Sequence, residues 1–220
     1  MKIEWLGHAA FIITSRDGTR ILTDPYESGG FYGSVAYTPI REKVDVVTIS
    51  HAHGDHCHVP AGLGQETLVI RDKINASVKG INIKSVDSFH DSAGGRERGS
   101  NSIFIFDVDG IRVVHFGDLG HMLDDKQLKE LGNVDVALLP VGGNFTIDAN
   151  AANEVIKKLK PKIVIPMHFK TDKVGLDIDS VDIFLENKKD VERLRVCEIE
   201  ITPALLSLAT AKIILLKHSH

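Results

Sequence analysis

His51-Ala52-His53-Gly54-Asp55-His56 places three imidazoles and one carboxylate within six residues. The apolar run from Val44 to Ile49 precedes it directly and predicts a buried strand that ends at the first histidine. His51 and His53 can both turn towards one metal ion, because a short loop relaxes the strict alternation of a strand. Asp55 and His56 then face a second position nearby. Imidazole and carboxylate together suit zinc and tolerate iron, manganese or nickel.

The same stretch could instead be a histidine-rich surface loop or the N-terminal cap of a helix. The chain has 11 histidines in 220 residues, and a chance match to this pattern has odds of roughly one in several hundred, so metal binding is favoured. Cys57 follows the stretch and could be a further ligand. Packing behind the loop is the favoured interpretation, because thiols usually behave as small buried hydrophobic groups.

Length and composition predict a single domain over residues 1–220 with a substantial core. Hydrophobic residues make up 43% of the chain and charged residues 25%, which is typical of a globular protein. The formal charge of −4 and the pI of about 6.2 give no general attraction to phosphate backbones, so nucleic acid is a disfavoured partner.

Targeting and membrane segments are not predicted. The N-terminal MKIEWLGHAAF has no sustained apolar region of the kind that a secretory signal needs. The apolar tail from Leu205 to Leu216 is too short to cross a bilayer and contains Lys212. Cys57 and Cys197 do not suggest a disulfide framework. We therefore expect a cytoplasmic protein.

Alternating and apolar runs predict many short strands and few helices. Strands are predicted at residues 3–6, 10–14, 20–23, 44–50, 68–70, 81–89, 102–106, 111–116, 134–141 and 163–167, with closing strands over 194–201 and 208–216. Helices are predicted over 124–131, 149–159 and 179–185, the second with Asp148 as its N-cap. Loops 27–43 and 91–100 are irregular, and each could border a pocket or simply connect its neighbours.

Acidic residues and histidines that could bind a metal ion follow several of these strands, at the point where each strand ends. They are Asp24, the 51–56 stretch, His90, Asp118 and His168. Side chains at neighbouring strand ends converge without long flexible loops, which preorganises a metal site.

These motifs, in order along nearly the whole chain, resemble the metallo-β-lactamase superfamily. The motifs are Thr23-Asp24-Pro25, His51-Ala52-His53-Gly54-Asp55-His56, Phe89-His90, Gly117-Asp118 and Pro166-Met167-His168. Further segments resemble its small single-domain branch of zinc-dependent hydrolases, similar to the ascorbate-6-phosphate lactonase group: Trp5-Leu6-Gly7-His8-Ala9, Gly117-Asp118-Leu119-Gly120-His121, Val141-Gly142-Gly143 and Met167-His168-Phe169-Lys170-Thr171. The resemblance implies an α/β fold, a four-layer αββα sandwich of two mixed sheets with helices on both outer sides.

The resemblance also implies a role for each matching residue. The first metal ion would be held by His51, His53 and His90, and the second by Asp55, His56 and His168. Asp118 would bridge the two ions. Asp24 would fix the histidine loop by hydrogen bonding and would not be a ligand itself.

The implied activity is metal-dependent hydrolysis with two divalent ions, of which zinc is favoured and manganese, nickel or iron is possible. Two cations about 3.5–4 Å apart lower the pKa of a bridging water to near neutrality and so supply hydroxide. Asp55 and Asp118 would be the catalytic carboxylates, and Asp55 would orient the hydroxide and pass a proton to the leaving group. The expected substrate is a small molecule with an ester, lactone or phosphoester bond.

Other polar residues near the motifs could contact substrate or could have ordinary structural roles. They are His8, Asn101, His121, Asn144 and Lys170. In loop 27–43, the aromatic side chains of Phe31, Tyr32 and Tyr37 could form a wall of the pocket or anchor the loop.

Alternative functions remain open at this point. A non-catalytic metal-binding protein would share the fold, although such proteins usually lose ligands. A nuclease or phosphodiesterase of the superfamily would usually add a large insertion or a basic arm, and a di-iron redox protein would usually add a flavin domain. The sequence leaves the substrate, the metal and the oligomeric state undecided.

Overall fold

The computed structural model describes residues 1–64, 66–71 and 73–220. Within these residues the strands are β1 (Lys2–Gly7), β2 (Ala10–Thr14), β3 (Arg20–Thr23), β4 (Val46–Thr48), β5 (Leu68–Ile70), β6 (Asn75–Val78), β7 (Ile81–Phe89), β8 (Ser100–Val108), β9 (Ile111–His115), β10 (Val136–Pro140), β11 (Ile163–Met167), β12 (Val191–Arg193), β13 (Glu198–Glu200) and β14 (Lys212–Leu215). The helices are α1 (Gly30–Gly33), α2 (Asp125–Leu131), α3 (Ala149–Leu159), α4 (Val181–Leu185) and α5 (Pro203–Leu208).

The strands form two mixed sheets. The first has the order β13-β1-β2-β3-β4-β5 and the second the order β12-β14-β11-β10-β9-β8-β7-β6. In the first sheet β1, β2 and β3 are antiparallel, whereas β3, β4 and β5 are parallel. The second sheet is antiparallel from β6 to β9 and parallel from β9 through β10 and β11 to β14 and β12.

Alternation along the first strands places apolar side chains on both faces of the first sheet. Phe11 and Ile13 point into the large core that the two sheets share, whereas Ile12 packs into a second cluster on the outer face. That outer cluster is completed by Tyr26 and Tyr37 of the segment that follows β3. The layered sandwich is confirmed, and on this side the covering layer is largely irregular chain.

Strand directions explain why the predicted site residues meet. In the second sheet β7, β9, β10 and β11 all run in the same direction, and in the first sheet β3 and β4 are parallel. Their carboxyl ends therefore lie at one edge of each sheet, as ligand sites do in open α/β sheets. The two edges are joined where the Ser102 N–H donates to the Ser50 carbonyl at 2.9 Å.

The helices follow their capping signals. Asp148 caps α3 by accepting a hydrogen bond from the Ala151 N–H, as predicted. Asp124 forms a capping box with Gln127 at the start of α2. The prediction of a strand from residue 208 was wrong at its start, because α5 ends at Leu208 and β14 begins at Lys212. Within the described ranges, the helices are all too short or too polar for a membrane-spanning segment.

Candidate metal centre

The histidine-rich segment forms a tight turn directly after β4. The His56 N–H donates to the His53 carbonyl at 2.9 Å, which closes the turn. Asp55 and His56 are buried, whereas His53 is exposed to solvent. The turn therefore directs most of its side chains inward, towards the edge of the second sheet.

One histidine cluster joins this turn to the second sheet. His51, His53 and His90 present ring nitrogens that all lie within 4.8 Å of one another. The ring of His90 lies 4.7 Å from that of His51 and 4.9 Å from that of His53, measured between centroids. These are the three residues proposed for the first metal position, and the structure brings them together.

A second cluster lies beside the first. His8, Asp55, His56 and His168 present ligand atoms within 4.8 Å of one another, and all four side chains are buried. Three of them are the residues proposed for the second metal position. His8 is an additional member that sequence reasoning treated only as a possible substrate contact.

Asp118 lies between the two clusters. Its Oδ2 atom is 3.0 Å from His90 Nε2, which belongs to the first cluster. The same oxygen is 3.2 Å from His56 Nε2 and 3.4 Å from His168 Nε2, which belong to the second. One carboxylate thus faces histidines of both clusters, which is the placement expected of a bridging ligand.

The donor atoms fit divalent cations because several of them are buried without a hydrogen bond. Among the described residues, His51 Nε2, His56 Nε2, Asp55 Oδ1 and Asp118 Oδ1 have no hydrogen-bond partner. Buried polar atoms are nearly always satisfied, so several atoms of this kind around one point fit the coordination of a cation. Imidazole nitrogen and carboxylate oxygen are the atoms that zinc binds.

Asp24 supports the cluster from behind. Its Oδ1 accepts a hydrogen bond from the Ser50 N–H at 2.8 Å, and its Oδ2 accepts from Ser50 Oγ and from His56 Nδ1 at 3.0 Å. The proton on His56 Nδ1 leaves the lone pair of Nε2 free to bind a metal ion. Because both oxygens of Asp24 are occupied in this way, its placement supports a positioning role.

The electrostatics of the cluster also suit a cation. Burial and the neighbouring His56 lower the pKa of His51 to about 3, which keeps this imidazole neutral and able to bind metal. Burial opposes the ionised form of Asp118, but His168 and His56 outweigh it and hold the pKa of this carboxyl well below its usual range. Burial likewise opposes a charged His56, yet Asp118 and Asp55 raise its pKa well above the usual value. The two carboxylates thus favour positive charge at this point.

Asn101 fixes the backbone of Asp118. Its Oδ1 accepts a hydrogen bond from the Asp118 N–H at 2.9 Å, and its Nδ2 donates to the Phe116 carbonyl at 2.9 Å and to Ser88 Oγ at 2.7 Å. Gly117 lies so close that a Cβ atom there would be 2.6 Å from the Cβ of Ser50. This close packing holds Asp118 against the two clusters.

A cavity of about 240 Å³ opens over the clusters. Five of its lining residues come from the clusters and their bridge: His53, Asp55, His90, Asp118 and His168. The other four form its outer wall: Phe31, Arg98, Phe145 and Leu176. Of these four, sequence reasoning singled out only Phe31; the Tyr37 side chain is fully buried and Tyr32 is fully exposed.

The five residues offered as substrate contacts all lie outside this lining, and each has a structural partner. His8 and Asn101 are buried and contact Asp55 and Asp118, respectively. His121 Nε2 accepts a hydrogen bond from the Phe89 N–H at 3.1 Å. Asn144 and Lys170 donate to the carbonyls of Asp177 and Leu176. Substrate contact stays a prediction for all five.

Cys57 is partly buried and packs against the outer apolar cluster of the first sheet. Its Sγ atom lies 3.4 Å from the Ala52 carbonyl oxygen, across the turn. None of the three groups of possible metal ligands found among the described residues includes it.

Comparison with known proteins identifies relatives. A family model described as a β-lactamase superfamily domain matches residues 2–168. The chain is 31% identical to a UPF0173 metal-dependent hydrolase of Thermococcus onnurineus, over 90% of this chain and 98% of that protein. It is 33% identical to a UPF0173 metal-dependent hydrolase of Pyrococcus abyssi, over 78% of this chain and 85% of that protein.

Solved structures of other proteins have a similar fold. A Thermotoga maritima protein assigned as a Zn-dependent hydrolase of the metallo-β-lactamase superfamily superposes with a TM-score of 0.78 at 35% identity, covering 98% of this chain and 97% of that one. An isothiocyanate hydrolase from Delia radicum gut bacteria superposes with a TM-score of 0.69 at 16% identity, covering 100% and 97%. The second likeness concerns the fold alone.

Proposed function

The chain belongs to the metallo-β-lactamase superfamily and is a metal-dependent hydrolase, and we propose that it works with two divalent cations, preferably zinc. The first cation would be held by His51, His53 and His90, and the second by Asp55, His56 and His168. Asp118 would bridge them. We further propose that the substrate is a small molecule with an ester, lactone or phosphoester bond.

One observation carries the two-cation proposal. Asp118 Oδ2 lies 3.0 Å from Nε2 of His90 and 3.2 Å from Nε2 of His56, although these histidines belong to different clusters. A site for a single cation would need only one of the clusters. A carboxylate shared between two sets of imidazoles supports two neighbouring positions instead.

Two bound cations would supply a hydroxide nucleophile at neutral pH and polarise the oxygen of the scissile group. Asp118 Oδ2 lies within 3.4 Å of His90, His56 and His168, so this carboxylate would contact both cations. Asp55 is buried but lines the cavity, so its carboxylate can accept the proton of the nucleophile. As the new bond to carbon or phosphorus forms and the bond to the leaving oxygen breaks, Asp55 returns this proton to the leaving oxygen.

The size of the cavity supports a small-molecule substrate. Its volume is about 240 Å³, whereas sites for drug-sized ligands usually have roughly 300–1,000 Å³. The substrate is therefore expected to be a small molecule and not a polymer. The net charge of −4 argues against an extended nucleic-acid partner. The two cysteines are both free thiols, which supports a cytoplasmic location.

Elemental analysis and a substrate screen test the proposal together. The purified wild-type chain should bind two zinc ions and hydrolyse members of a panel of lactones, esters and phosphodiesters, and a chelator should abolish turnover. Asp118→Ala and His168→Ala should lose metal and activity. His58→Ala is the matched control, because His58 is an exposed histidine beside the same turn. Full metal loading without turnover of any panel member would favour a non-catalytic metal-binding protein.

A further inference from the structure

We infer that Arg98 binds an anionic group of the substrate, so that the preferred substrates are small esters or phosphoesters that carry a carboxylate or phosphate beside an apolar body. This inference rests on the proposed hydrolase function of the same cavity. It assigns the specificity of the site to a residue outside the metal clusters.

Arg98 is placed at the cavity by a rigid loop. Asp91 follows His90 directly, and its carboxylate accepts hydrogen bonds of 2.8–3.1 Å from the N–H groups of Ala93, Gly95, Glu97 and Arg98 itself. These four hydrogen bonds tie the loop that carries Arg98 to Asp91, the residue directly after the candidate metal ligand His90.

The guanidinium of Arg98 is free to bind a ligand. It lies over the ring of Phe145, with 5.7 Å from its central carbon to the ring centroid. Among the described residues, its one acidic neighbour within 4 Å is Glu97, whose side chain is 63% exposed and whose Oε2 is 3.7 Å from Nη1. An ion pair of this kind in water contributes little. By contrast, the guanidinium of Arg112 donates to both oxygens of Asp107.

The charge distribution of the cavity favours an anion at this position. Arg98 is the one lining residue with a permanent positive charge, and the two lining carboxylates, Asp55 and Asp118, face the histidines. An arginine guanidinium presents a planar fork that matches the oxygens of carboxylate and phosphate groups.

The remaining wall defines the rest of the substrate. Phe31, Phe145 and Leu176 line the cavity with apolar surface. An apolar body packed here would place its anionic end at Arg98 and its scissile bond over the clusters. A carboxylate and a phosphate share the required chemistry, and a binding experiment can distinguish them.

Matched substrates test this assignment on the zinc-loaded protein. The anionic probe is mono-4-nitrophenyl glutarate, and its neutral counterpart is 4-nitrophenyl methyl glutarate. Loss of a charge-assisted hydrogen bond corresponds to about tenfold to a hundredfold in affinity. Arg98→Gln should therefore lower kcat/KM for the anionic probe by this factor, mainly through KM, and change kcat/KM for the neutral probe much less.

Two further variants act as controls. Arg98→Lys keeps the charge and should recover part of the preference for the anionic probe. Arg96→Gln removes an exposed positive charge from the same loop and should have no effect. Equal losses in Arg96→Gln and Arg98→Gln, or an unchanged preference in Arg98→Gln, would overturn the inference.

Calorimetry separates this inference from the proposed function. Phenylacetate and phenyl phosphate are titrated into zinc-loaded wild type and Arg98→Gln, and the tighter wild-type ligand identifies the preferred anion. Weaker binding to the variant is expected, and equal binding would overturn the role of Arg98. If wild type binds these anions through Arg98 but hydrolyses neither glutarate probe nor any member of the substrate panel, the hydrolase proposal fails and the anion site stands.

Discussion

His8 Nε2 lies 3.2 Å from Asp55 Oδ2, and both side chains are buried. The His8 ring also packs 4.2 Å from the ring of His168, measured between centroids. Its backbone carbonyl accepts a hydrogen bond from the His168 N–H at 3.2 Å. A residue near the N-terminus therefore contacts two of the residues proposed to hold the second cation.

Substitution of His8 should weaken the second metal position. His8 has a φ of 51°, a region that asparagine tolerates, so His8→Asn should keep the fold while losing the contact with Asp55. Loss of such a supporting partner typically costs 10–100-fold in metal affinity. Zinc titration against a competing chelator measures this, with His58→Asn as the control. If His8→Asn binds zinc at both positions with the affinity of wild type, the role assigned to His8 is contradicted.

Substitution of Asp24 should affect both stability and metal binding. In Asp24→Asn, one carboxylate oxygen becomes an amide nitrogen that cannot accept the hydrogen bonds of Ser50 or His56. The unsatisfied buried groups should lower the free energy of unfolding by about 1–3 kcal/mol. Urea denaturation of the metal-free protein measures this loss. Asp125→Asn changes an exposed aspartate and should have little effect; equal losses in both variants would refute the argument.

Gly120 allows the close approach that places His90. A Cβ atom at this position would overlap the backbone carbonyl of His90, and overpacking of this kind typically costs about 1–3 kcal/mol. Gly120→Ala should lower the melting temperature and weaken zinc binding at the cluster that contains His90. At Gly64 a Cβ would come no closer than 3.8 Å to Thr67 Oγ1, so Gly64→Ala should be tolerated. A wild-type melting temperature in Gly120→Ala would contradict this packing.

Metal removal should destabilise the folded chain. A ligand present at 100 times its Kd stabilises the native state by about 2.7 kcal/mol. For a chain of this size this corresponds to a rise in melting temperature of about 5–10 °C. Differential scanning calorimetry with zinc and with chelator should show this difference in wild type. Asp118→Ala should show a much smaller one. If the melting temperature of wild type is the same with zinc and with chelator, the clusters do not bind zinc.

Local sequence signals predicted those elements whose chemistry is local. Asp148 caps its helix as predicted, because an N-cap needs only the next three residues. The helix that begins at Pro203 carries the same kind of signal in Thr202, whose hydroxyl accepts from the Leu205 N–H. The sequence predicts only a strand from residue 208 here, because the apolar run from Leu205 to Leu216 fits either structure.

Long-range contacts explain what the sequence could not provide. His8 reaches Asp55 across 47 positions of the chain, and Arg98 reaches Phe145 across a similar separation. Neither pair has a fixed spacing or a shared motif, so only the fold brings them together. The candidate metal ligands could be predicted, unlike these two pairs, because each candidate follows an apolar strand. That pattern is visible in the sequence.

Anomalous diffraction from crystals of the zinc-loaded protein tests the central claim most directly. Data collected on both sides of the zinc absorption edge should show two peaks about 3.5–4 Å apart, one among His51, His53 and His90 and the other among Asp55, His56 and His168. The Asp118 carboxylate should contact both. A single peak, or two peaks that Asp118 does not join, would contradict the two-cation site.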